Sequence, residues 1–431
     1  MTASYDVIII GGRPAGATLA ARLARQGART LLLERAQFPS LPAASSPIIY
    51  APVMHLLDEI GADENEYARG TPRLRRVIGD NSQFKATIPI PLADGRNYAY
   101  AIDRARFDAA LFENARRQGA DVRDGFNVTD LVWDGERVVG VVGQASKDGV
   151  PETLRAEIVV GAEGRFSLVA RKTGAATFDE HTANPTSLYY AYWRGVRPYD
   201  EDGAAAVAYE GGYGYGFLVM DSADGTTAVT MEGQADLFTP GEEGAEAFYL
   251  RLLRSNPKLS ARLEGAERIT PVQGMKRIGN LYRQPGGAGW ALVGDAYHQH
   301  DPLDGQGIFN AVYSAKVLAW AYGRFRRGAV SWEQALHEYD EAVRVKTYGM
   351  YRRTLNAVQE NLYSERQMPG WALSGLRWVM EDPQMHELMG KMFTRQLPPE
   401  MISLLTPAVA LNAVLRGPLR DLRKRLAGIA S

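Results

Sequence analysis

The strongest constraint on the fold lies near the start of the chain, in the stretch VIIIGGRPAGATLAARLARQG, residues 7–27. Four apolar residues run directly into glycines, and a helix-forming run follows them. A buried strand, a tight glycine turn and a helix in this order are typical of a phosphate-binding turn for a dinucleotide. The middle glycine of the usual G-x-G-x-x-G is missing, because Arg13 stands between Gly11 and Gly16. The stretch alone predicts a β-α unit and leaves its ligand open.

An acidic residue at the end of the next strand narrows the choice of nucleotide. The segment ARTLLLER, residues 28–35, is apolar enough for a second strand and ends near Glu34. This glutamate follows Gly16 by about 18 residues, close to the spacing at which a carboxylate binds a ribose 2′-hydroxyl. It favours an unphosphorylated ribose, and hence NAD or FAD over NADP.

The composition excludes several classes of chemistry. The 431 residues include no cysteine, which removes disulfides, thiolate catalysis and cysteine-ligated metals. A net charge of −1 argues against bulk attraction to nucleic acid or acidic membranes. The first apolar run has no basic flank and is interpreted as a strand rather than a signal peptide. The apolar stretch LLTPAVALNAVL, of about 12 residues, is too short to span a bilayer. We expect a cytoplasmic protein without nucleic-acid partners or integral membrane association.

Two kinds of segment alternate along the chain. Strand, glycine turn and helix recur in one kind, whereas the other alternates polar and apolar residues and is rich in aromatics, as in an antiparallel sheet. Almost everything from Ser331 onward has a helical pattern. We expect a nucleotide-binding domain at 1–75, 101–180 and 285–340, a substrate domain at 76–100 and 181–284, and a helical C-terminal region at 341–431.

Three separated glycine turns supply the evidence that decides the cofactor: GGRPAG at 11–16, GAEGRFS at 161–167 and GDAYHQHDPLDGQG at 294–307. In sequence and order they resemble the flavoprotein monooxygenases of the p-hydroxybenzoate hydroxylase type, which have flavin halogenases and geranylgeranyl reductases as relatives. The resemblance extends to about residue 340 of the 431. It implies an α/β fold in which a Rossmann-like FAD-binding domain is interleaved with an antiparallel β-sheet substrate domain, followed by a helical C-terminal region.

The resemblance assigns the first turn and its surroundings to the adenosine and pyrophosphate part of FAD. It implies that Glu34 binds the ribose, that Arg35 lies beside the adenine, and that the backbone of Val128 meets the adenine. Arg104 resembles an arginine that reaches the flavin side of the cofactor. The turn is expected to survive with the Arg13 side chain turned outward or onto the phosphates. The residues expected at the pyrophosphate are Gly11, Arg13, Pro14, Ala15 and Gly16.

The third turn resembles the family's flavin-side segment. Asp295 is implied to bind the ribityl hydroxyls, and Pro302 to lie near the isoalloxazine ring. The helix expected to begin near Gly307 would direct its N-terminal amides at the flavin pyrimidine and stabilise the anionic reduced form. Gly305 and Ile308 complete this set.

The resemblance implies a reaction as well as a cofactor. FAD, reduced by NADH or NADPH, would react with O2 to give a C4a-hydroperoxide that hydroxylates or epoxidises a small organic substrate, aromatic or polyketide-like. No metal site is expected, and the catalytic residues stay open. The alternatives are a flavin-dependent reductase, dehydrogenase or halogenase of the same fold, or a non-catalytic flavin-binding redox protein. The W-x-W-x-I-P stretch of tryptophan halogenases and the Y-x-W-x-F-P stretch of geranylgeranyl reductases are both absent.

The sequence leaves the role of three features open. Glu163 replaces the aspartate of the family's second turn, so the handling of the pyridine nucleotide by this stretch stays open. His298 and His300 are either an acid–base pair or residues that hold the flavin loop by hydrogen bonds. The C-terminal helices either cap the substrate pocket or form the contact of a homodimer.

Overall fold

The computed structural model describes residues 4–43, 45–81, 85–145, 149–364 and 370–426, with the backbone alone at 370, 371, 424 and 425. The strands are β1 (Ser4–Ile10), β2 (Thr30–Leu33), β3 (Ile48–Ile49), β4 (Arg76–Asp80), β5 (Lys85–Pro89), β6 (Tyr100–Ala101), β7 (Asp121–Arg123), β8 (Asn127–Asp134), β9 (Arg137–Gln144), β10 (Glu152–Gly161), β11 (Thr177–Arg194), β12 (Ala206–Gly212), β13 (Tyr215–Asp221), β14 (Thr226–Gln234), β15 (Glu267–Arg268), β16 (Gln273–Arg283), β17 (Gly286–Gly287), β18 (Trp290–Leu292) and β19 (His298–Gln299). The helices are α1 (Pro14–Arg25), α2 (Ala51–Asp58), α3 (Glu64–Tyr67), α4 (Arg104–Arg117), α5 (Leu168–Thr173), α6 (Gly244–Ser255), α7 (Pro257–Leu263), α8 (Gly307–Arg326), α9 (Trp332–Leu362), α10 (Gly370–Met380), α11 (Pro383–Phe393) and α12 (Pro399–Leu426).

The first sheet is built around β1, whose apolar residues are almost completely buried. The strand order is β17-β18-β10-β1-β2-β7, and β18, β10, β1, β2 and β7 pair in parallel. Strands β8 and β9 extend the sheet by antiparallel pairing on β10. Because the carboxyl ends of parallel strands lie at one edge, the turns after β1, β10 and β18 meet there.

The second sheet is mainly antiparallel, in the order β19-β16-β11-β14-β13-β12-β4-β5. Alternate residues of β11 face opposite sides: Tyr189 and Trp193 belong to a core that includes α6 and α7, whereas Tyr190 and Tyr192 belong to a core with Ile48. The second core lies between this sheet and the segment around β3. The sheet therefore presents one aromatic face toward the nucleotide-type half of the molecule.

The C-terminal part of the chain is helical, as the sequence predicts. Helix α9 is 31 residues long and passes residue 340 without a break, so the domain boundary there stays a proposal. Helix α12 continues through Pro407 and Pro418 and is longer than the apolar stretch suggested. Its segment Pro399–Arg423 is the one described helix that is long and apolar enough to cross a membrane by those two criteria. The two sheets and this helical region confirm the predicted fold class.

Candidate functional site

The three glycine turns predicted from the sequence meet at the edge of the first sheet. Gly11 has φ +105°, and a Cβ there would lie 2.4 Å from the carbonyl oxygen of Ala162 in the second turn. A Cβ on Gly294 of the third turn would lie 2.7 Å from the Cβ of Ala15. Within the first turn, a Cβ on Gly16 would lie 1.8 Å from the Gly11 carbonyl oxygen. Glycine is therefore required at these positions, because any side chain would force the turns apart.

The missing middle glycine is explained by the backbone at Arg13. This residue precedes α1 with φ −84° and ψ −172°, an extended conformation open to any side chain. No side chain caps α1, and Pro14 occupies its first position. The N-terminal amides of α1 thus keep the arrangement that binds an anionic phosphate.

The Arg13 side chain points neither outward nor freely toward a ligand. Its Nη1 lies 2.5 Å from Oδ2 of Asp108, whose side chain has no solvent exposure. The same carboxylate accepts bonds from Arg104 at 3.0 Å, and Arg104 also donates to Ser45 Oγ at 2.9 Å. Asp108 on α4 therefore joins the predicted pyrophosphate turn to the predicted flavin-side arginine. No sequence motif marks Asp108.

Glu34 lies where the resemblance predicts a ribose-binding acid. It is buried at the end of β2, and its carboxylate accepts the backbone N–H of Gly12 at 2.8 Å and of Ala36 at 2.9 Å. Its carbonyl accepts the N–H of Phe126 at 2.8 Å, which places the start of β8 beside it. Val128 is buried on that strand, whereas the side chain of Arg35 is exposed. The structure thus brings Glu34 and the β8 segment together.

Asp295 lies on the short 3₁₀ turn Gly294–Ala296 that follows β18. Its Oδ2 lies 3.3 Å from Nε of Arg165, which comes from the second glycine turn. Burial raises the pKa of Asp295, although Arg165, Arg104 and Arg283 oppose that shift. The carboxylate is about one-third exposed, with the side chain 32% accessible. It has one close cationic partner and room for hydroxyl donors.

Glu163 has a structural role that the sequence analysis left open. Its carboxylate accepts from Ser167 Oγ at 2.8 Å and from the N–H of Val169 at 3.1 Å. The Ser167 hydroxyl oxygen accepts from Ala170 N–H and caps α5. Glu163 therefore holds the first turn of α5.

Helix α8 begins at Gly307, as predicted, directly after Gly305 in the left-handed conformation. Pro302 begins the preceding 3₁₀ turn, and Ile308 is buried in the first turn of α8. The residue before the helix, Gln306, makes no side-chain cap. These N-terminal amides thus add positive potential to the flavin-side segment.

Arg395 reaches this helix terminus from the C-terminal region, and sequence reasoning missed it. Its Nε donates to Gln306 Oε1 at 2.8 Å, and its Nη2 donates to Asn310 Oδ1 at 3.2 Å. The guanidinium carbon lies 3.8 Å from the ring centre of Phe309, a cation–π distance. Burial lowers the pKa of Arg395 to about 9, so the group stays charged at neutral pH.

A small cavity of about 10 Å³ adjoins Arg395. Tyr50 and Phe393 stack across it, with ring centres 5.9 Å apart and planes 6° apart. It is lined by Ile48, Tyr50, Pro52, Val53, Gly305, Gln306, Phe309, Phe393 and Arg395. A larger groove, of about 330 Å³, lies at the C-terminal end of α1, and none of its lining residues belongs to the three turns. The smaller cavity is the candidate for the reactive end of the site, because it includes Gly305 and Gln306 of the third turn and is mostly apolar with one half-buried cation.

Two carboxyl groups meet between the second sheet and the flavin-side loop. Glu232 on β14 lies beside Asp301, which accepts from Thr186 Oγ1 at 2.7 Å. Burial, and then the charge of Asp301, raise the pKa of Glu232 well above its ordinary value. Glu232 Oε1 is buried and has no hydrogen-bond partner among the described residues. Burial beside a second carboxylate therefore favours the protonated form of Glu232.

The two histidines of the third turn differ in their surroundings. His300 Nε2 lies 2.7 Å from Thr354 Oγ1, and Thr354 donates to Asp304. His298 stacks on Tyr282 with ring centres 4.0 Å apart, and neither ring nitrogen has a partner among the described residues. Burial lowers the pKa of His300 to about 4 and that of His298 well below its ordinary value. The loop-holding interpretation fits His300, and both rings are neutral at pH 7.

Together these features fit an extended dinucleotide carrying a ring system. A family model described as the FAD binding domain matches residues 4–346. The chain belongs to the FAD binding domain family. Among the predicted residues, Glu34 and Val128 lie together beside the first turn, and Pro302 to Ile308 lie at the start of α8; their contacts with FAD are proposals.

Curated relatives of the FAD binding domain family extend the comparison. The chain is 27% identical over 350 residues to the tryptophan 2-halogenase of Chondromyces crocatus, covering 79% of this chain. It spans 65% of that halogenase's length. It is 27% identical over 350 residues to the digeranylgeranylglycerophospholipid reductase of Methanosarcina acetivorans, covering 80% of this chain and 81% of that protein. The suspected family, with halogenase and reductase relatives, is confirmed.

Solved structures agree with this assignment. A flavin-dependent brominase superposes with a TM-score of 0.78 at 21% identity, over 97% of this chain and all of that one, which shows the shared fold. The myxobacterial chondrochloren halogenase superposes with a TM-score of 0.72 at 26% identity, over 91% of this chain and 89% of that one. The chain is a flavoenzyme of the oxidoreductase type. Its named relatives favour the halogenase alternative over the hydroxylase that the sequence analysis placed first.

Proposed function

We propose that this flavoenzyme is a halogenase that attaches chloride or bromide to an electron-rich, largely apolar aromatic substrate. The carrying observation is the half-buried guanidinium of Arg395 at the start of α8, where no side chain caps the helix, beside a small apolar cavity. The halogenases among the curated relatives and solved structures support the same choice.

The geometry supports a set of residues that would hold FAD. The amides at the start of α1 would face the pyrophosphate, Glu34 would bind the adenosine ribose, and Asp295 would accept from the ribityl hydroxyls. Arg104, fixed by Asp108, supplies positive charge between the two ends. Reduced FAD supplies the redox chemistry, in which O2, a halide ion and a proton convert an aromatic C–H to C–halogen with two molecules of water.

Arg395 would attract and orient the halide. The side chain is a cation in a half-buried position, where electrostatic attraction is stronger than in bulk water. Its position is fixed by Gln306, Asn310 and the ring of Phe309. The same charge, together with the helix terminus, favours the anionic form of reduced flavin.

The source of reducing equivalents is a second part of the proposal. We propose that reduced flavin is supplied by a separate reductase, rather than by NADH or NADPH binding to this chain. Glu163, which stands where the family carries aspartate, is committed to the first turn of α5. Oxidation of NADH or NADPH by the purified protein alone would contradict this part.

The decisive experiment supplies photoreduced FAD, O2 and bromide to the purified protein with a panel of phenols, pyrroles and indoles. Products carrying the paired bromine isotope pattern in mass spectrometry are expected. Incorporation of ¹⁸O from ¹⁸O2 into the substrate, with or without bromide, would instead identify a hydroxylase. Saturation of a double bond without oxygen would identify a reductase.

Hydroxylation stays a second candidate because of two specific observations. The sequence lacks the W-x-W stretch of tryptophan halogenases, and the described residues that line the cavity beside Arg395 include no lysine to relay hypohalous acid. In the halogenase proposal, Arg395 is the basic side chain of the cavity lining that would take the place of this lysine. The two candidates differ in whether the product retains halogen or oxygen.

A further inference from the structure

Helix α12 carries an unusual share of the exposed apolar surface. Among the described residues, 18 large apolar side chains are exposed, and nine of them lie on this helix. Only 17% of its most apolar 18-residue window is buried. The nine are Met401, Leu404, Leu405, Leu411, Val414, Leu415, Leu419, Leu422 and Leu426. Contiguous exposed apolar surface of this kind marks an interaction site rather than an ordinary solvent face.

The leucines form one stripe along the helix. Leu404, Leu411, Leu415, Leu422 and Leu426 are spaced by seven, four, seven and four residues, which places them on one face. Their exposed fractions lie between 53% and 79%. At 1.5 Å per residue the stripe is about 33 Å long. We call Leu404 to Leu426 on this face the leucine stripe.

The opposite side of α12 is attached to the protein. Ile402, Ala413 and Gly417 are buried, and a Cβ on Gly417 would lie 2.2 Å from the ring of Trp378 on α10. Asp421 receives bonds from Trp378 and from Arg377, which is also on α10. A helix fixed along one side by charged partners is not free to cross a bilayer, but it can lie flat on one.

The exposed charges of α12 are basic beyond its first turn, which contains the exposed Glu400. Between Met401 and Arg423, its exposed charged side chains are Arg416 and Arg423. The one acid in that segment, Asp421, is turned inward to Arg377. On the helical period, both exposed arginines lie along the same flank of the leucine stripe. An apolar face with one cationic edge is complementary to anionic lipid head groups.

We propose that α12 binds the surface of an anionic phospholipid bilayer, with the leucine stripe inserted among the lipids and Arg416 and Arg423 at the head groups. A second copy of this chain is the competing occupant. A second copy would have to present a surface that matches the stripe, whereas a membrane surface needs no matching shape. The complementary charge of the exposed arginines and the anionic lipid head groups favours the membrane over a second copy.

The chain connects this surface to the site. Phe393 and Arg395 line the small cavity of the candidate site, and α12 begins at Pro399, four residues after Arg395. The apolar cavity therefore lies close in sequence to the start of the membrane-binding helix. A substrate dissolved in lipid would reach it over a short path. The proposal itself concerns binding and does not depend on the reaction at the site.

The test is flotation of the FAD-loaded full chain with two kinds of vesicle, phosphatidylcholine alone and phosphatidylcholine with phosphatidylglycerol in equal parts. Binding is expected to the second kind, and to weaken as salt is raised. The double variant Leu411→Gln/Leu415→Gln keeps good helix formers without charge and is expected to lower the partition coefficient at least ten-fold. The matched control, Leu237→Gln/Val150→Gln, changes two exposed apolar residues elsewhere and should bind as the parent does.

The arginines are tested separately. Arg416→Gln/Arg423→Gln should reduce binding to the anionic vesicles and leave binding to phosphatidylcholine unchanged. FAD content and melting temperature establish that each variant is folded. Absence of flotation with the parent protein would overturn the proposal. So would a parent dimer in light scattering that the double leucine variant converts to monomer, since the stripe would then bind a second copy.

Discussion

The guanidinium of Arg13 lies 2.5 Å from the carboxylate of Asp108, a group with no solvent exposure that also pairs with Arg104. Arg13, which replaces the usual middle glycine, is thus part of an ion network that joins the start of α1 to α4 through the buried carboxylate of Asp108. Two arginines on one buried carboxylate also explain how a side chain at position 13 coexists with a close-packed phosphate turn.

Replacing Arg13 by glutamate should damage FAD binding. The new carboxylate would face Asp108 and loosen Arg104, so we expect FAD to bind about ten-fold more weakly, or ~1.4 kcal/mol. Fluorescence titration of the apoprotein with FAD measures this. Arg155→Glu is the control, because Arg155 is exposed on β10 of the same sheet. Equal affinities for both variants would show that the network does not support the cofactor.

Glu34→Ala should lower stability even without FAD. It would leave the Gly12 N–H without its acceptor in a buried position, at a cost of about 1–3 kcal/mol. Glu34→Gln retains one acceptor oxygen and should cost less. Thermal melts of both apoproteins check this order, and a Glu34→Ala melt equal to the parent's would contradict it.

Asp295→Asn should weaken FAD binding through the flavin side. The amide has one acceptor oxygen where the carboxylate has two, so it can accept fewer hydroxyl donors. The substitution also leaves Arg165 without its carboxylate partner. We expect a loss of about ten-fold in affinity, equal to ~1.4 kcal/mol. The flavin absorbance of the purified protein, relative to its protein absorbance, is the measurement. Asp236→Asn, on an exposed pair with Arg277, should retain full flavin.

Glu232→Gln should change how stability depends on pH. The pKa of Glu232 is raised by folding, so its contribution is fully present below the unfolded pKa and is lost as pH rises through the folded one. Glutamine stays neutral at every pH, so the variant does not lose stability at this position as pH rises. The melting temperature of the variant minus that of the parent should therefore increase steadily above about pH 4.3, the ordinary glutamate pKa. A difference that does not vary with pH would show that Glu232 is not protonated in the folded protein.

Arg395→Met should separate halide binding from folding. Loss of the cation should raise the KM for bromide about ten-fold while kcat changes less. Arg395→Lys keeps a positive charge and should have a KM for bromide between those of the parent and Arg395→Met. The reduction potential of bound FAD should fall by about 30 mV, a ten-fold change for a two-electron couple. Arg352→Met, at an exposed position on α9, should change neither quantity. A bromide KM unchanged in Arg395→Met would remove the halide role.

The features predictable from the sequence are those encoded locally. The glycine turn after β1, the acid ending β2 and the start of α8 at Gly307 each follow from a few consecutive residues, because strand, turn and helix impose their own residue preferences. The convergence of the turns follows from the parallel order of the strands.

The features that could not be predicted depend on contacts between distant segments. Asp108 is 95 positions from Arg13, and Arg395 is 89 positions from Gln306. Glu232 meets Asp301 only because β14 lies over the flavin-side loop. Asp108, Arg395 and Glu232 stand outside the three glycine turns, and each acquires its partner from the packing of the two sheets and the helices.

The side-chain amide of Gln234, at the end of β14, donates to the carbonyl of Leu362 at the end of α9, and Arg395 donates to the first turn of α8. The C-terminal helical region is therefore hydrogen-bonded both to the second sheet, through Gln234, and to the start of α8, through Arg395. Attempts to trim the protein to a minimal flavin module, or to graft this tail onto another scaffold, should fail unless these two tethers are carried along.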